Sequence, residues 1–260
     1  MQSEVMTITP EMAEHLLSLN TDNRPIRDKW VDELARCIGN GEWKLNGEPL
    51  ILNGERLLDG QHRLLAIIKA GVSVESVVTT GVPVDTFATL GRNKPRTDAD
   101  VFALLGVENR YITAGALKWI DQYLTSRVGR SVVYSNQEMI ALLESHSEVG
   151  YSAKRCAWTR TLISPSVLAA SHYLFCKIDA DAAESFVSQL LSGADLEVGD
   201  GVYWLRERLL NNKLSHSSLT RKYLFALTIK AWNARRSGKS VRTLSWKGNS
   251  LKPEPFPIIR

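Results

Sequence analysis

The segment 50–70, LILNGERLLDGQHRLLAIIKA, constrains the fold more than any other stretch of the chain. Two short apolar runs, Leu50–Leu52 and Leu57–Leu58, flank Asn53-Gly54, which is the strongest short-range signal for a β-hairpin. The second run ends at Asp59-Gly60, and the apolar spacing that follows is helical. The pattern therefore predicts a hairpin whose second strand ends in a glycine turn and leads directly into a helix over 61–70.

Patterns on either side of this segment divide the chain near residue 98. Before that point, Thr9-Pro10 predicts a helix start, and an apolar residue at every fourth position from Ile26 to Ile38 predicts a second helix. After it, strand signals are scarce and helical periodicity recurs up to a proline-punctuated tail, PEPFPIIR. We expect an α+β protein with two domains. Residues 1–98 would hold a small mixed sheet and helices, and residues 99–260 would be all-α.

The charge is distributed unevenly between these two parts. Residues 1–98 carry 11 Lys and Arg against 14 Asp and Glu, whereas residues 206–260 carry 13 against 2. A basic concentration of this kind favours a polyanionic partner. We therefore expect DNA binding, with Arg235, Arg236 and Lys239 on the exposed side of a helix. A solvated basic helix without a partner is the alternative.

Other features of the sequence bear on the compartment. No apolar run approaches the roughly 18 residues of a membrane-spanning helix, and the first residues show no basic segment followed by an apolar one. Cys37, Cys156 and Cys176 form no CxxC pair, which suits a reducing cytoplasm. We expect a cytoplasmic protein without membrane contact. Zinc at Cys156, His172 and Cys176 is disfavoured because no fourth ligand stands at a fitting spacing.

The glycine turn at the start of the 61–70 helix has the properties of an anion site. The first N–H groups of a helix lack intrahelical partners, and the helix dipole adds partial positive charge there, which suits phosphate. Arg63 can add a permanent planar cation, and His62 a donor or a proton carrier near neutral pH. Asp59 could hold a metal or orient His62. Alternatively, Asp59 only caps the helix while His62 and Arg63 lie on its solvated side.

The run Asp59-Gly60-Gln61-His62-Arg63 resembles the DGQHR signature of the ParB/sulfiredoxin superfamily. Residues 5–98 are similar to the "ParB-like nuclease domain" proteins of bacteriophages and actinobacteria. This resemblance implies a ParB/sulfiredoxin-like domain that binds ATP or CTP with Mg²⁺ through Gly60, Gln61, His62 and Arg63. If the protein is phage-encoded, it would act in the cytoplasm of the host cell. The sulfiredoxin cysteine falls at Gln61, whose amide forms no sulfur adduct, so sulfinic acid reduction is excluded.

Nearby side chains supply candidates for chemistry. Glu48 precedes the hairpin and Asp59 ends it, so either could face the phosphates as a general base or as a Mg²⁺ ligand. The catalytic candidates are thus Glu48, Asp59 and His62, with Asp59 as the metal ligand. For Glu48, an ordinary surface position before Pro49 is an equally good interpretation. A basic loop with Arg92, Lys94 and Arg96 could close over a polyphosphate or contact a nucleic-acid backbone.

These expectations combine into one function with open alternatives. We expect a nucleotide-binding, DNA-associated, ParB-like protein that hydrolyses its nucleotide, for which a homodimer is compatible with the sequence. One alternative is a phosphotransferase or nuclease that acts on DNA or on a small molecule. The other is a regulator that binds nucleotide without turnover. Whether the nucleotide is hydrolysed, transferred or only sensed stays open at the level of sequence.

Overall fold

A computed structural model describes residues 1–21, 23, 25–90, 97–159, 162–214, 219–248 and 252–260. The chain divides into two compact units, Met1–Pro95 with Val132–Gln137 and Arg96–Ser131 with Glu138–Arg260. Every strand among the described residues lies in the first unit, so the predicted α+β class is confirmed. Within the described ranges, none of the helices has the length and apolar character needed to cross a membrane.

Four strands form a mixed sheet in the first unit. They are β1 (Gln2–Ile8), β2 (Leu50–Leu52), β3 (Leu57–Asp59) and β4 (Val74–Thr80), in the spatial order β1-β4-β2-β3. β1 pairs antiparallel with β4, β4 parallel with β2, and β2 antiparallel with β3. The β2–β3 pair is the predicted hairpin: the Asn53 amide donates to the Arg56 carbonyl (2.9 Å), and Gly54 supplies a positive φ.

Three α-helices share a core with this sheet: α1 (Pro10–Ser18), α2 (Asp28–Gly39) and α3 (Gln61–Ala70). A 3₁₀-helix, Val84–Thr89, follows β4. The predicted cap of α1 is confirmed, since Thr9 Oγ1 accepts a hydrogen bond from the Met12 amide (3.2 Å).

The apolar stripe predicted for α2 is wrong in its first half. The helix begins at Asp28, so Ile26 precedes it and is exposed, and Trp30 is also exposed. Val31, Ala35 and Ile38 form the buried face instead, at the spacing of four and three residues that one side of a helix requires.

The short segment 132–137 belongs to the first unit through polar contacts. Arg36 donates from Nη2 to the Val133 carbonyl (3.0 Å), which ties the segment to α2. Ser135 Oγ donates to Glu42 Oε2 (3.3 Å), just beyond the end of the same helix. A segment distant in sequence therefore completes this unit.

The second unit consists of helices among its described residues. They are α4 (Asp98–Leu104), α5 (Arg110–Leu124), α6 (Asn136–Ser145), α7 (Val149–Arg155), α8 (Pro165–Cys176), α9 (Ala180–Ser192), α10 (Gly201–Leu214) and α11 (Arg221–Arg236). A capping box formed by Thr97 and Asp100 begins α4. Helix α8 is buried from Val167 to Phe175, which explains its almost uniformly apolar sequence.

Aromatic side chains of the basic C-terminal region pack inside this unit. Trp232 is fully buried, stacks on Phe175 with ring centroids 4.2 Å apart, and donates from Nε1 to the Arg260 carbonyl (2.9 Å). Trp246 is buried as well and donates to the Pro255 carbonyl (3.0 Å). Trp232 and Trp246 therefore belong to the core of this unit.

Candidate anion site at the start of α3

Gly60 makes the junction between β3 and α3, and both its backbone and its surroundings require glycine. Its φ of +115° lies in a region that L-residues with a side chain rarely adopt. A Cβ at this position would lie 2.4 Å from Leu50 Cδ2 on the neighbouring strand β2. The Gly60 carbonyl accepts from the amides of Arg63 and Leu64, both at 3.0 Å, and so forms the first turn of α3.

Asp59 ends β3 and contacts both of the groups that follow it. Its Oδ1 accepts a hydrogen bond from the Gly60 amide (2.8 Å), and its Oδ2 lies 3.9 Å from Arg63 Nη2. The carboxylate is one-third exposed. It therefore stabilises the turn while one oxygen faces the guanidinium at the surface of the junction.

Arg63 is not on a solvated side of the helix, as one interpretation of the sequence had it. Its side chain is only 15% exposed, and it donates to the carbonyls of Glu48 (2.6 Å) and Pro49 (2.8 Å). Burial lowers the pKa of the guanidinium, while the carboxylates of Asp59 and Glu48 act in the opposite direction. Arg63 thus clamps the start of α3 to the entry of β2 and carries its positive charge at the junction.

His62 and Gln61 are buried, and each holds a segment that precedes α2. His62 Nε2 accepts a hydrogen bond from the Arg27 amide (3.1 Å), so this nitrogen carries no proton in the observed arrangement. Proton transfer through Nε2 would require the Arg27 amide to move away. Gln61 Oε1 accepts from Asn20 Nδ2 (3.1 Å).

Asn20 and Asn23 extend this network, and sequence reasoning did not select them. Asn23 Nδ2 donates to Asn20 Oδ1 (2.5 Å) and to the Leu57 carbonyl on β3 (2.9 Å). Two asparagines shortly before Pro25 are typical of a turn, and nothing in that pattern alone indicates a bond to a residue 41 positions away. The amides of this turn are therefore positioning groups for α3.

The other predicted residues lie in different settings. Glu48 is exposed in the turn before β2, and its contact with the junction is through its backbone carbonyl. Arg92, Lys94 and Arg96 lie outside the described residues. The structure therefore brings together Asp59, Gly60, Gln61, His62 and Arg63, with the backbone of Glu48 beside them.

Arg235 and Arg236, at the end of α11, make internal ion pairs. Arg235 donates to Gln189 Oε1 on α9, lies 3.9 Å from Asp200 and is partly buried, so the expectation of an exposed position is wrong for it. Arg236 is exposed as predicted, and its Nη1 donates to Asp179 Oδ2 (2.8 Å). Lys239 is exposed as predicted.

Several other basic side chains in the C-terminal region are exposed. They are Arg208, Lys213, Arg221, Arg242, Lys247, Lys252 and Arg260. The positive charge of this region therefore reaches solvent mainly through residues that the sequence analysis did not single out.

Asp59 is the carboxylate at the junction that could serve as a metal ligand. In the part of the chain that the structure describes, no three His, Cys, Asp or Glu side chains converge as metal ligands. Mg²⁺ bound with a nucleotide needs only one or two carboxylates, because phosphates and waters supply the remaining oxygens. Asp59, partly exposed beside Gly60, fits that requirement.

Comparison with known proteins identifies no relative of this chain: no family model matches it, and neither a curated protein nor a solved structure does.

Proposed function

We propose that the first unit is a ParB/sulfiredoxin-like domain that binds ATP or CTP, with the phosphates at the start of α3. The observation that supports this most directly is the left-handed Gly60, which ends a buried strand and begins a helix beside a buried arginine. Anions are favoured at such a helix start because the backbone N–H groups and the positive end of the helix dipole both attract negative charge. Glycine also allows close approach of a phosphate to the backbone.

Each motif residue has a distinct role in this proposal. In this proposal the phosphates lie against the backbone of Gly60 and the first turn of α3, and Arg63 adds positive charge while clamping the carbonyls of Glu48 and Pro49. Asp59 serves as the carboxylate ligand of the Mg²⁺ that accompanies the nucleotide. The metal would neutralise part of the charge of the phosphates. Gln61 and His62 hold the segments around Asn20 and Arg27 next to the site.

Binding without turnover is the second candidate function. It is favoured by His62, because its Nε2 lone pair already accepts a hydrogen bond from the Arg27 amide. Glu48 favours it too, because this residue contacts the junction through its backbone carbonyl while its carboxylate is exposed. Hydrolysis, in contrast, requires a group that positions or deprotonates water. Asp59 is the remaining candidate for that task.

The helical unit is proposed to contact DNA through its exposed basic side chains. Residues 206–260 carry 13 basic and 2 acidic residues, and the exposed members of this set include Arg208, Arg221 and Arg242. Phosphate contacts of this kind release counterions. The association constant for duplex DNA therefore falls by about 0.9 log units per contact for each tenfold increase in salt concentration.

Calorimetric titration with ATP and CTP, with and without Mg²⁺, tests the nucleotide site. Asp59→Asn keeps an oxygen for the Gly60 amide but removes the charge that Mg²⁺ needs. We expect this variant to bind nucleotide at least as tightly as the parent without Mg²⁺, and to lose any strengthening by Mg²⁺. Glu55→Gln, a nearby exposed carboxylate, is the matched control and should behave as the parent. A parent protein that binds neither nucleotide would contradict the proposal.

The same preparations can separate binding from turnover. Incubation with nucleotide labelled on the γ-phosphate, with and without plasmid, distinguishes phosphate release, label transfer and nicking. Tight binding with none of these reactions would favour the regulator over the hydrolase.

A further inference from the structure

Helix α7 and the turn that follows it present the most exposed tryptophan of the second unit's described residues. Trp158 is 93% exposed and Tyr151 61% exposed. The Lys154 side chain between them is 74% exposed. Large aromatic side chains left in water together are unusual for a surface without a partner. Trp232 and Trp246 of the same unit are buried, in contrast.

Tyr151 and Lys154 are three residues apart on α7, the interval of neighbours on a helical surface. Trp158 lies in the turn that follows this helix. The helical winding continues past Arg155, because the Cys156 amide donates to the Ser152 carbonyl (3.1 Å) and the Ala157 amide to the Lys154 carbonyl (3.3 Å). The order along this surface is therefore aromatic, cation, aromatic.

Tyr151 is held in place by a polar network. Its hydroxyl donates to Glu184 Oε1 on α9 (2.6 Å), and Arg155 Nε donates to Oε2 of the same carboxylate (2.9 Å). His172 Nε2 on α8 lies 3.1 Å from Oε1, and its Nδ1 lies 2.9 Å from Ser152 Oγ. The aromatic ring of Tyr151 is thus anchored at its hydroxyl end while much of its surface stays in solvent.

The charge of Glu184 is maintained by the same contacts. Partial desolvation alone would raise its pKa, but the hydrogen bonds from Tyr151 and Arg155 hold the pKa below its ordinary value. A charged carboxylate is a strong acceptor for the Tyr151 hydroxyl. An exposed ring with a fixed orientation loses little conformational freedom when a ligand stacks on it.

We propose that Tyr151, Lys154 and Trp158 form a stacking platform for unpaired bases of single-stranded nucleic acid. Aromatic rings stack on bases of any sequence, and a cation between them can reach the intervening phosphate. The cation of this surface that can meet a partner is Lys154, because Arg155 is engaged by Glu184. Lys154 pairs with Glu108 at 3.8 Å with both side chains in solvent, a contact weak enough to be exchanged for a phosphate. The proposal is independent of nucleotide binding at α3.

Fluorescence anisotropy of the full chain with labelled 20-nucleotide oligo(dT), oligo(U) and a duplex tests the platform. Trp158→Leu keeps apolar bulk but removes the π-face, whereas Trp158→Phe keeps a π-face. We expect Trp158→Leu to weaken single-strand binding about tenfold or more, Trp158→Phe to retain most of it, and duplex binding to be unchanged in both. The relative affinities for the two oligonucleotides show whether DNA or RNA is preferred.

A parent that binds neither oligonucleotide would overturn the platform, and so would a Trp158→Leu variant that binds both as tightly as the parent. Equal weakening of duplex and single strand by Trp158→Leu would also overturn it, because duplex bases are already stacked. Folding is not a concern at so exposed a position, where substitutions usually change stability by about 0.5 kcal/mol or less. Tyr151→Phe, which keeps the ring but loses the bond to Glu184, should weaken binding less than Tyr151→Leu.

Discussion

At the start of α3, five consecutive residues hold a strand, a turn and a helix together, whereas at Glu184 side chains from three helices meet at one carboxylate. Arg63 at the first cluster donates to neutral backbone carbonyls. Arg155 at the second donates to a charged side chain that is itself partly exposed. The first cluster thus fixes backbone, and the second fixes side chains on the surface.

This difference has an energetic consequence. A buried guanidinium that loses its acceptors, or a carbonyl that loses its donor, is costly because no water replaces the bond. A partly exposed ion pair is screened by solvent and contributes little. We therefore expect changes at the α3 junction to affect stability more than equivalent changes around Glu184.

The largest effect is expected for Gly60→Ala. A side chain at Gly60 meets both an unfavourable φ and Leu50 Cδ2 at 2.4 Å, so the free energy of unfolding should fall by about 2–5 kcal/mol. Gly71→Ala is the matched control at the other end of α3: its φ is +65°, but no atom lies within 4 Å of its Cβ. It should cost about 1 kcal/mol, from backbone strain alone.

Urea unfolding, with hydrogen exchange of the β2, β3 and α3 amides to locate the change, provides the measurement. Equal losses for Gly60→Ala and Gly71→Ala would show that Leu50 moves aside. The close approach of β2 to the junction would then not be what requires glycine.

A smaller effect is expected for Arg63→Ala, compared with Arg155→Ala. Arg63→Ala leaves the Glu48 and Pro49 carbonyls without their charged donor and should lower the free energy of unfolding by about 2–3 kcal/mol. Arg155→Ala removes a partly exposed partner of Glu184, and a loss of about 1 kcal/mol or less is expected. Denaturant unfolding of both variants at one salt concentration makes the comparison, and a larger loss for Arg155→Ala would reverse it.

The sequence reveals the first cluster because its signals are local. Asn53-Gly54, Asp59-Gly60 and the helical spacing after them are all within twenty residues, and the hairpin, the turn and α3 occur where they were predicted. The hydrogen-bond acceptors of Arg63 could not be predicted in this way. They are backbone carbonyls 14 and 15 positions earlier, and because every residue has a carbonyl, the sequence does not mark which ones are used.

The second cluster leaves no comparable trace in the sequence. Glu184 contacts Tyr151 and Arg155, which lie 33 and 29 positions earlier, and each of the three is an ordinary residue on an amphipathic helix. Likewise, the run NARRSGK predicted exposed arginines at the end of α11; Arg236 is exposed, but Arg235 is partly buried and donates to Gln189 on α9. Pairings of this kind depend on helix packing, which local periodicity does not specify.

The smallest expected effect concerns pH and the buried His172. Burial is the main cause that lowers the pKa of this imidazole, partly opposed by Glu184. Because the folded-state pKa lies below the unfolded value of about 6.5, the unfolded chain takes up a proton first as pH falls. Stability should be constant above that value and decrease below it, by at most about 1.4 kcal/mol per pH unit for one proton. His146, whose pKa is lowered mainly by burial and also by Lys177, contributes in the same direction.

Unfolding free energies at pH 7.5, 6.5 and 5.5 measure this slope. His172→Asn removes one of the two titrating groups and should flatten the decrease between pH 6.5 and 5.5, whatever its effect at pH 7.5. His15→Asn is the matched substitution at an exposed histidine of α1. If His172→Asn retains the full slope, the pH dependence of stability does not arise from the Glu184 cluster. The effect of pH would then not distinguish that cluster from the α3 junction.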